Sequence, residues 1–143
     1  KQKYKGSANH TITQELVERT SLPLIANGDV RTPEQATKVM AQTGARGLML
    51  GRGAIADPKL FGRIRGTEPA VPDPAQYKRE MAVHFTRLLA SYSELFCGEA
   101  QILAKLRETF VHFTNPDLRR WGRKLGKRKL LAGVAEMLAE AQA

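Results

Sequence analysis

The sequence has little of what a cross-linked, metal-bound or membrane-spanning protein needs. Cys97 is the single cysteine among 143 residues, which excludes an intramolecular disulfide and a cysteine-rich zinc site. None of the three histidines has a partner at metal-ligand spacing with carboxylates nearby, so we expect no metal. The longest apolar runs are far too short to cross a bilayer, so we expect neither a membrane span nor a secretory signal. We expect a cytoplasmic protein, because scarce cysteine fits a reducing compartment.

What is present is typical of a globular chain. Hydrophobic residues make up 42% and charged residues 26%, values that argue against disorder. The length is about that of one domain and is sufficient for a hydrophobic core. Because the chain begins with Lys1 rather than Met, we expect a processed product or a piece of a longer protein.

Positive charge is in excess and is concentrated near the carboxyl end. The formal net charge is +9, which favours a polyanionic partner, chiefly nucleic acid, or an acidic membrane surface. Seven cations and no acid lie within one short segment: Arg119, Arg120, Arg123, Lys124, Lys127, Arg128 and Lys129. A solvated helix face is one interpretation of this segment. A phosphate-contacting surface is the other, because Trp121 within the cluster offers an apolar or stacking surface.

The first half has the pattern of a strand, a helix and a second strand. The first strand is predicted over Leu22–Ala26 and the second over Gly47–Leu50. Thr32 starts the intervening helix, Gln35 completes a capping box, and Gly44 ends the helix. Neither strand alternates with polar residues, so we expect two buried, parallel strands covered by helices.

Further helices flank this unit. One is predicted before the first strand, with Ile12 and Leu16 facing inward. Asp57 is predicted to cap another, which runs through about Ile64. Residues 66–74 contain three prolines and are interpreted as a linker or domain boundary.

The second half is predicted to be a small helical bundle. Its apolar residues keep helical spacing, and Asn115 with the following proline starts a third helix in this half. Phe110, Phe113 and Trp121 are predicted to lie in the core rather than to form a base-stacking platform. Cys97 is predicted to be a core or turn thiol.

Polar turns follow both predicted strands. Asn27, Gly28 and Asp29 follow the first strand, and Gly51 and Arg52 follow the second. The carboxyl ends of parallel strands meet at one edge, where a guanidinium and glycine-rich backbone hold phosphate in (β/α)8 barrels. We therefore expect a phosphate-binding site there. Two ordinary turns with a surface arginine remain the alternative.

Several segments resemble the tRNA-dihydrouridine synthase family. The strongest similarity lies in residues 24–30, 44–54 and 58–61, and residues 4–8 resemble the family's loop before the sixth barrel helix. The helical half resembles its tRNA-binding domain more loosely, in length, position and charge. The resemblance implies α/β followed by all-α: the last two strands of a (β/α)8 barrel with their helices in residues 1–68, and a helical tRNA-binding domain in residues 69–143.

The resemblance also implies a reaction and its participants. The family reduces the C5–C6 double bond of a uridine in tRNA with FMN, which NADPH recharges. Residues Asn27, Gly28 and Asp29 match its seventh-strand flavin contacts, and Gly51 and Arg52 match its phosphate contacts. The basic residues implied in RNA binding are Lys105, Arg107, Arg119, Arg120, Arg123, Lys124, Lys127 and Arg128.

The chain also departs from the family's pattern. A (β/α)8 barrel needs about 250 residues, and only two of its strands are recognisable here. The family's catalytic cysteine belongs to an earlier strand, and Cys97 does not match it. We therefore expect the chain alone to be inactive, to bind FMN weakly or not at all, and to have open sheet edges that pair with another chain or leave the first half unstable.

Two other functions remain open. One is a non-catalytic, basic helical module that recognises RNA. The other is a different FMN-binding barrel, such as a dihydroorotate or enoate reductase, which shares the phosphate-binding logic but gives no reason for a cationic helical tail.

Overall fold

The computed structural model describes residues 6–143, which form two compact units. The first unit ends at Ala70 and the second covers Val71–Ala143. The boundary falls within the segment interpreted as a linker. Of the resembling loop at residues 4–8, the first two residues lie outside the part that the structure describes.

The first unit contains a parallel pair of short strands joined through a helix. Its described elements are α1 (His10–Arg19), β1 (Ile25–Asn27), α2 (Pro33–Thr43), β2 (Gly47–Met49), α3 (Arg52–Ala56) and α4 (Leu60–Arg65). The register places Ile25 opposite Gly47 and Asn27 opposite Met49. The predicted strand–helix–strand order and parallel pairing are confirmed, although both strands are shorter than predicted. The first strand also extends to Asn27, a residue expected in the turn that follows it.

Helix α2 begins and ends where its sequence signals lie. Thr32 Oγ1 accepts a hydrogen bond from the Gln35 N–H at 3.2 Å. The Gln35 side chain turns back and accepts the N–H of Arg31 at 2.8 Å, so the capping box closes one residue earlier than expected. Gly44 has φ 64°, and its N–H reaches Met40 O at 3.0 Å. This left-handed cap is the reason for glycine at that position.

The burial predicted for this unit is partly wrong. Ile12 and Leu16 of α1 are 55% and 52% exposed, and Ile25 and Met49 of the strands are 57% and 60% exposed. Ala26, the residue after Ile25 on β1, is buried. Successive strand residues point to opposite sides of the sheet, and the exposed Ile25 and Asn27 lie on the side opposite Ala26. The expectation of fully buried strands therefore fails.

The start of α4 also differs from its prediction. Asp57 does not cap the helix; its Oδ1 accepts the Lys59 N–H at 3.0 Å and closes a turn. The helix consequently begins at Leu60, with Lys59 as the capping residue.

The second unit is a helical bundle, as predicted. Its described helices are α5 (Pro74–Leu95), α6 (Glu99–Phe110), α7 (Pro116–Gly126) and α8 (Leu131–Glu140). Asn115 Oδ1 accepts N–H groups of Asp117 and Leu118, which confirms the predicted start of α7. No helix within residues 6–143 is long and apolar enough to cross a membrane.

An aromatic cluster fills the centre of the bundle. The Phe85 ring lies 4.9 Å from Phe110 and 5.6 Å from Phe113, measured between centroids, in edge-to-face geometry. Trp121 stacks nearly parallel to Phe113. All four side chains are buried, so Phe110, Phe113 and Trp121 are core residues, as predicted.

Candidate phosphate site and candidate nucleic-acid interface

The turns after β1 and β2 line a common pocket of about 240 Å³. It is bounded by Asn27, Gly28, Asp29, Val30, Arg31, Met49, Gly51, Arg52 and Gly53. All five residues predicted from the two turns are among them. Parallel pairing produces this meeting, because it places the carboxyl ends of both strands at one edge of the sheet.

Asp29 ties the two turns together. Arg52 Nη2 donates to Asp29 Oδ1 at 3.3 Å, and the N–H of Ala8 donates to Asp29 Oδ2 at 2.6 Å. Both carboxylate oxygens thus have protein partners. Asp29 also has φ 55°, in the left-handed region that few residues other than glycine adopt. Its geometry is suited to fixing the position of Arg52.

Three glycines of this pocket have different surroundings. A Cβ on Gly53 would lie 2.2 Å from Val30 O, and one on Gly28 would lie 2.5 Å from Ala8 Cβ. Close packing therefore requires glycine at both positions. A Cβ on Gly51 would meet no atom within 4 Å, so Gly51 borders open space beside Arg52.

The pocket carries a positive charge excess. Arg31 and Arg52 line it, and Asp29 is its only acidic lining residue. The Arg52 side chain is 45% exposed, and its guanidinium has five N–H donors, of which Asp29 uses one. Arg31 is not among the residues predicted for this pocket, although its position two residues after Asp29, in the same turn, points to it.

A buried ion pair stabilises the segment beyond this pocket. Arg63 Nε donates to Asp57 Oδ2 at 2.7 Å, and Arg63 Nη1 donates to Pro69 O at 3.0 Å. The Arg63 side chain is only 1% exposed. The ion pair holds α4 to the turn before it, and the Pro69 hydrogen bond holds α4 to the segment after it. Neither contact is predicted from the sequence.

Three of the predicted RNA-binding arginines hydrogen-bond within the bundle. Arg107 donates from Nε to Gly126 O and from Nη2 to Arg128 O, both at 2.9 Å, which caps the end of α7. Arg119 Nε donates to Phe113 O at 3.0 Å. Arg128 Nε lies 3.1 Å from Met137 Sδ. These contacts give each guanidinium a structural role.

The other predicted RNA-binding residues form fewer contacts within the protein. Lys105 pairs with Glu108 at 3.2 Å, and Arg120 lies 3.8 Å from Asp117 across an exposed pair. Within the described chain, the side chains of the remaining three form no recorded hydrogen bond or ion pair: Arg123, Lys124 and Lys127. All three and Arg120 are exposed, and Lys127 is the residue that follows α7.

Cys97 lies on the loop between α5 and α6 and is exposed. The predicted turn position is confirmed, and a core position is excluded. Among residues 6–143, no group of three or more His, Cys, Asp or Glu side chains comes together as a metal site.

Comparison with known proteins identifies the family. The model of the dihydrouridine synthase (Dus) family matches residues 1–141. The tRNA-dihydrouridine synthase B of Shewanella oneidensis is 35% identical over 96 residues, which cover 64% of this chain and 30% of that protein. The enzyme of the same name from Vibrio cholerae is 37% identical over 97 residues, again 64% of this chain and 30% of the relative. The chain therefore matches less than a third of these relatives' length, and it belongs to the dihydrouridine synthase family.

Proposed function

We propose that this chain is the carboxyl-terminal part of an FMN-dependent tRNA-dihydrouridine synthase. The first unit supplies the last two strands of a (β/α)8 barrel, and the second is the tRNA-binding domain. The observation that carries the proposal is the Asp29–Arg52 contact, since it joins two successive strand ends around one cationic pocket. The family match and the parallel strand pair support it further.

The pocket fits the phosphate end of FMN. Its volume of about 240 Å³ is below the roughly 300–1,000 Å³ of pockets that enclose drug-sized ligands, so it takes only one end of the nucleotide. Arg52 presents a fork of donors that matches phosphate oxygens, and the open space beside Gly51 allows the phosphate to approach backbone. When bound, FMN supplies the hydride that reduces the uridine double bond, and NADPH recharges it.

The remaining pocket residues have different roles in this proposal. Asn27 is exposed at the end of β1, where its amide is able to hydrogen-bond a ribityl hydroxyl. Asp29 holds Arg52 in position, because both of its carboxylate oxygens already accept protein hydrogen bonds. Gly28 allows its turn to pack directly against Ala8. The proton-donating cysteine belongs to barrel segments outside this chain.

The basic helices would hold the tRNA backbone. In this proposal, Lys105, Arg120, Arg123, Lys124 and Lys127 contact phosphates directly. The other three predicted cations, Arg107, Arg119 and Arg128, shape the surface through their contacts with backbone carbonyls and Met137. A tRNA substrate also favours the expected cytoplasmic location.

The phosphate assignment is tested by comparing FMN with riboflavin, which lacks the phosphate. Residues 1–143 are fused to the preceding barrel segment of the Shewanella oneidensis relative, and flavin affinity and NADPH-dependent dihydrouridine formation are measured. Arg52→Ala is expected to weaken FMN binding about ten- to a hundredfold, the value of a hydrogen bond to a charged group, with riboflavin binding unchanged. Arg46→Ala, an exposed arginine outside the pocket, is the matched control. An equal loss for both flavins would contradict the assignment.

The isolated chain provides the second test. We expect it to bind tRNA without reducing it and to bind FMN weakly or not at all. Turnover of tRNA by residues 1–143 alone would refute the incomplete-enzyme proposal. A non-catalytic RNA-binding module is the alternative. It would be favoured if the fused protein bound tRNA, did not bind FMN and did not reduce the uridine with NADPH.

The sheet edges bear on assembly. Within the described residues, β1 and β2 pair only with each other, so each has one unpaired edge. We propose that these edges pair with another chain. Sedimentation of the isolated chain should then show self-association, which the fused barrel removes.

A further inference from the structure

A second pocket lies within the helical unit, between α5 and the start of α7. Its volume is about 230 Å³. It is lined by Pro74, Lys78, Asn115, Asp117, Leu118, Arg120, Trp121 and Lys124. The pocket therefore combines residues from the start of α5 with residues from α7 and its cap, a combination that the basic segment alone does not reveal.

Three positively charged side chains and one negatively charged side chain line this pocket. Lys78 comes from α5, whereas Arg120 and Lys124 lie one turn apart on α7. Asp117 lies 3.8 Å from Arg120, and their side chains are 77% and 70% exposed. An ion pair so exposed is weak and readily exchanged for a phosphate. The side chains of Lys78 and Lys124 form no recorded ion pair within residues 6–143.

The apolar part of the lining is held rigidly. Trp121 and Leu118 are 8% and 3% exposed. The Trp121 ring stacks on Phe113 with an interplanar angle of 10° and a centroid distance of 6.4 Å. The pocket thus has a packed aromatic and aliphatic wall beside exposed cationic side chains. Nucleic-acid-binding proteins combine such surfaces, the cations for phosphate and the apolar wall for the nucleoside.

We propose that this pocket binds one nucleotide of an RNA strand. Lys78, Arg120 and Lys124 contact its phosphate, and the attached nucleoside packs against Pro74, Leu118 and Trp121. The inference rests on the proposed tRNA function and deepens it, because it assigns a discrete site and adds Lys78, which lies outside the basic segment.

The test uses the full chain and its single tryptophan. Binding of tRNA is measured at several salt concentrations while Trp121 fluorescence is recorded. In the unsubstituted chain, the Trp121 signal should change in parallel with tRNA binding. Lys78→Ala should weaken binding several-fold and reduce the salt slope by about 1, the loss expected for one phosphate contact. Lys78→Arg should restore both.

Arg79→Ala is the matched control. Arg79 neighbours Lys78 on α5, is exposed and does not line the pocket, so its loss removes the same charge from the same helix. It should alter tRNA affinity much less than Lys78→Ala. Equal effects of the two variants would show a diffuse charge effect and overturn the pocket assignment.

Other outcomes separate this inference from the proposed function. If the chain binds tRNA while the Trp121 signal stays constant, the pocket inference fails and the proposed function stands. If the chain does not bind tRNA at all, both fail. If poly-glutamate produces the same Trp121 change as tRNA, the pocket serves an acidic protein segment, which also overturns the RNA assignment.

Discussion

The two units of this chain bury their apolar residues to different extents. The first has a core of small side chains: Ala26, Val30, Ala36, Val39 and Ala45. The second has Phe85, Phe110, Phe113 and Trp121 at its centre, with leucines and methionines around them. Large apolar side chains such as Ile25 and Met49 remain exposed in the first unit. We expect the helical unit to be the self-contained one, because its core holds the large aromatic side chains. The exposed apolar side chains of the α/β unit are suited to further packing.

This difference affects the two candidate sites. The Arg52 pocket lies at the carboxyl ends of the two strands, where one carboxylate and two closely packed glycines fix the geometry. The Lys78 pocket rests on a filled aromatic core. The first site is therefore expected to gain rigidity from additional barrel segments, and the second is expected to be formed in the isolated chain.

The largest effect should come from the aromatic core. Phe85→Ala is expected to cost about 3–5 kcal/mol, because Phe85 is 1% exposed and contacts two other rings. Ile25→Ala in the first unit should cost less than about 0.5 kcal/mol, since that side chain is 57% exposed. Hydrogen exchange of the full chain reports on each unit separately. If Phe85→Ala and Ile25→Ala lowered the free energy of unfolding by similar amounts, the contrast in burial between the two units would be wrong.

The buried ion pair should matter next, and only in the first unit. Arg63→Met is expected to cost about 3 kcal/mol, because it leaves the Asp57 carboxylate buried without its partner. Lys59→Met is the control, since it removes the more exposed Lys59–Glu68 pair and should cost at most about 1 kcal/mol. Urea denaturation followed by amide protection in each unit measures both. Loss of protection in α5–α8 would contradict the independence of the units.

Two glycines of the phosphate pocket provide a smaller, matched pair. Gly53→Ala should cost about 1–3 kcal/mol, because its Cβ would lie 2.2 Å from the Val30 carbonyl oxygen. Gly51→Ala should leave stability nearly unchanged, since its Cβ meets no atom within 4 Å. In the fused protein, Gly51→Ala should nevertheless weaken FMN binding by narrowing the space beside Arg52. If Gly51→Ala lowered the stability of the protein, the space beside Gly51 would not be open.

The smallest expected effect is the pH dependence that His84 gives to the stability of the helical unit. Burial lowers the pKa of His84, and the charge of Arg87 lowers it further. The unfolded chain therefore binds a proton more readily than the folded chain. Stability should fall as pH drops below about 6.5, the ordinary histidine value, and should level off below the lowered pKa. His84→Gln should remove this part of the pH dependence; an unchanged profile in that variant would assign it to other groups.

Local signals predicted the element order well. The residues before α2 and α7 cap those helices because their side-chain oxygens accept N–H groups two or three positions ahead, an interaction set by short-range sequence. Parallel pairing then placed the two polar turns together, so the five pocket residues could be named in advance. Burial was predicted less well, because apolar character alone does not show which layer covers a strand, as Ile25 and Met49 demonstrate.

The sequence by itself determined the caps of α2 and α7, the parallel strand–helix–strand unit, the aromatic residues of the bundle and the family, because each depends on neighbouring residues or on a continuous pattern. Only the tertiary structure decided how the charged side chains are used. It paired Arg63 with Asp57, directed Arg107 to the end of α7 and brought Lys78 beside Lys124. A long charged side chain reaches several partners, and chain folding selects one among them.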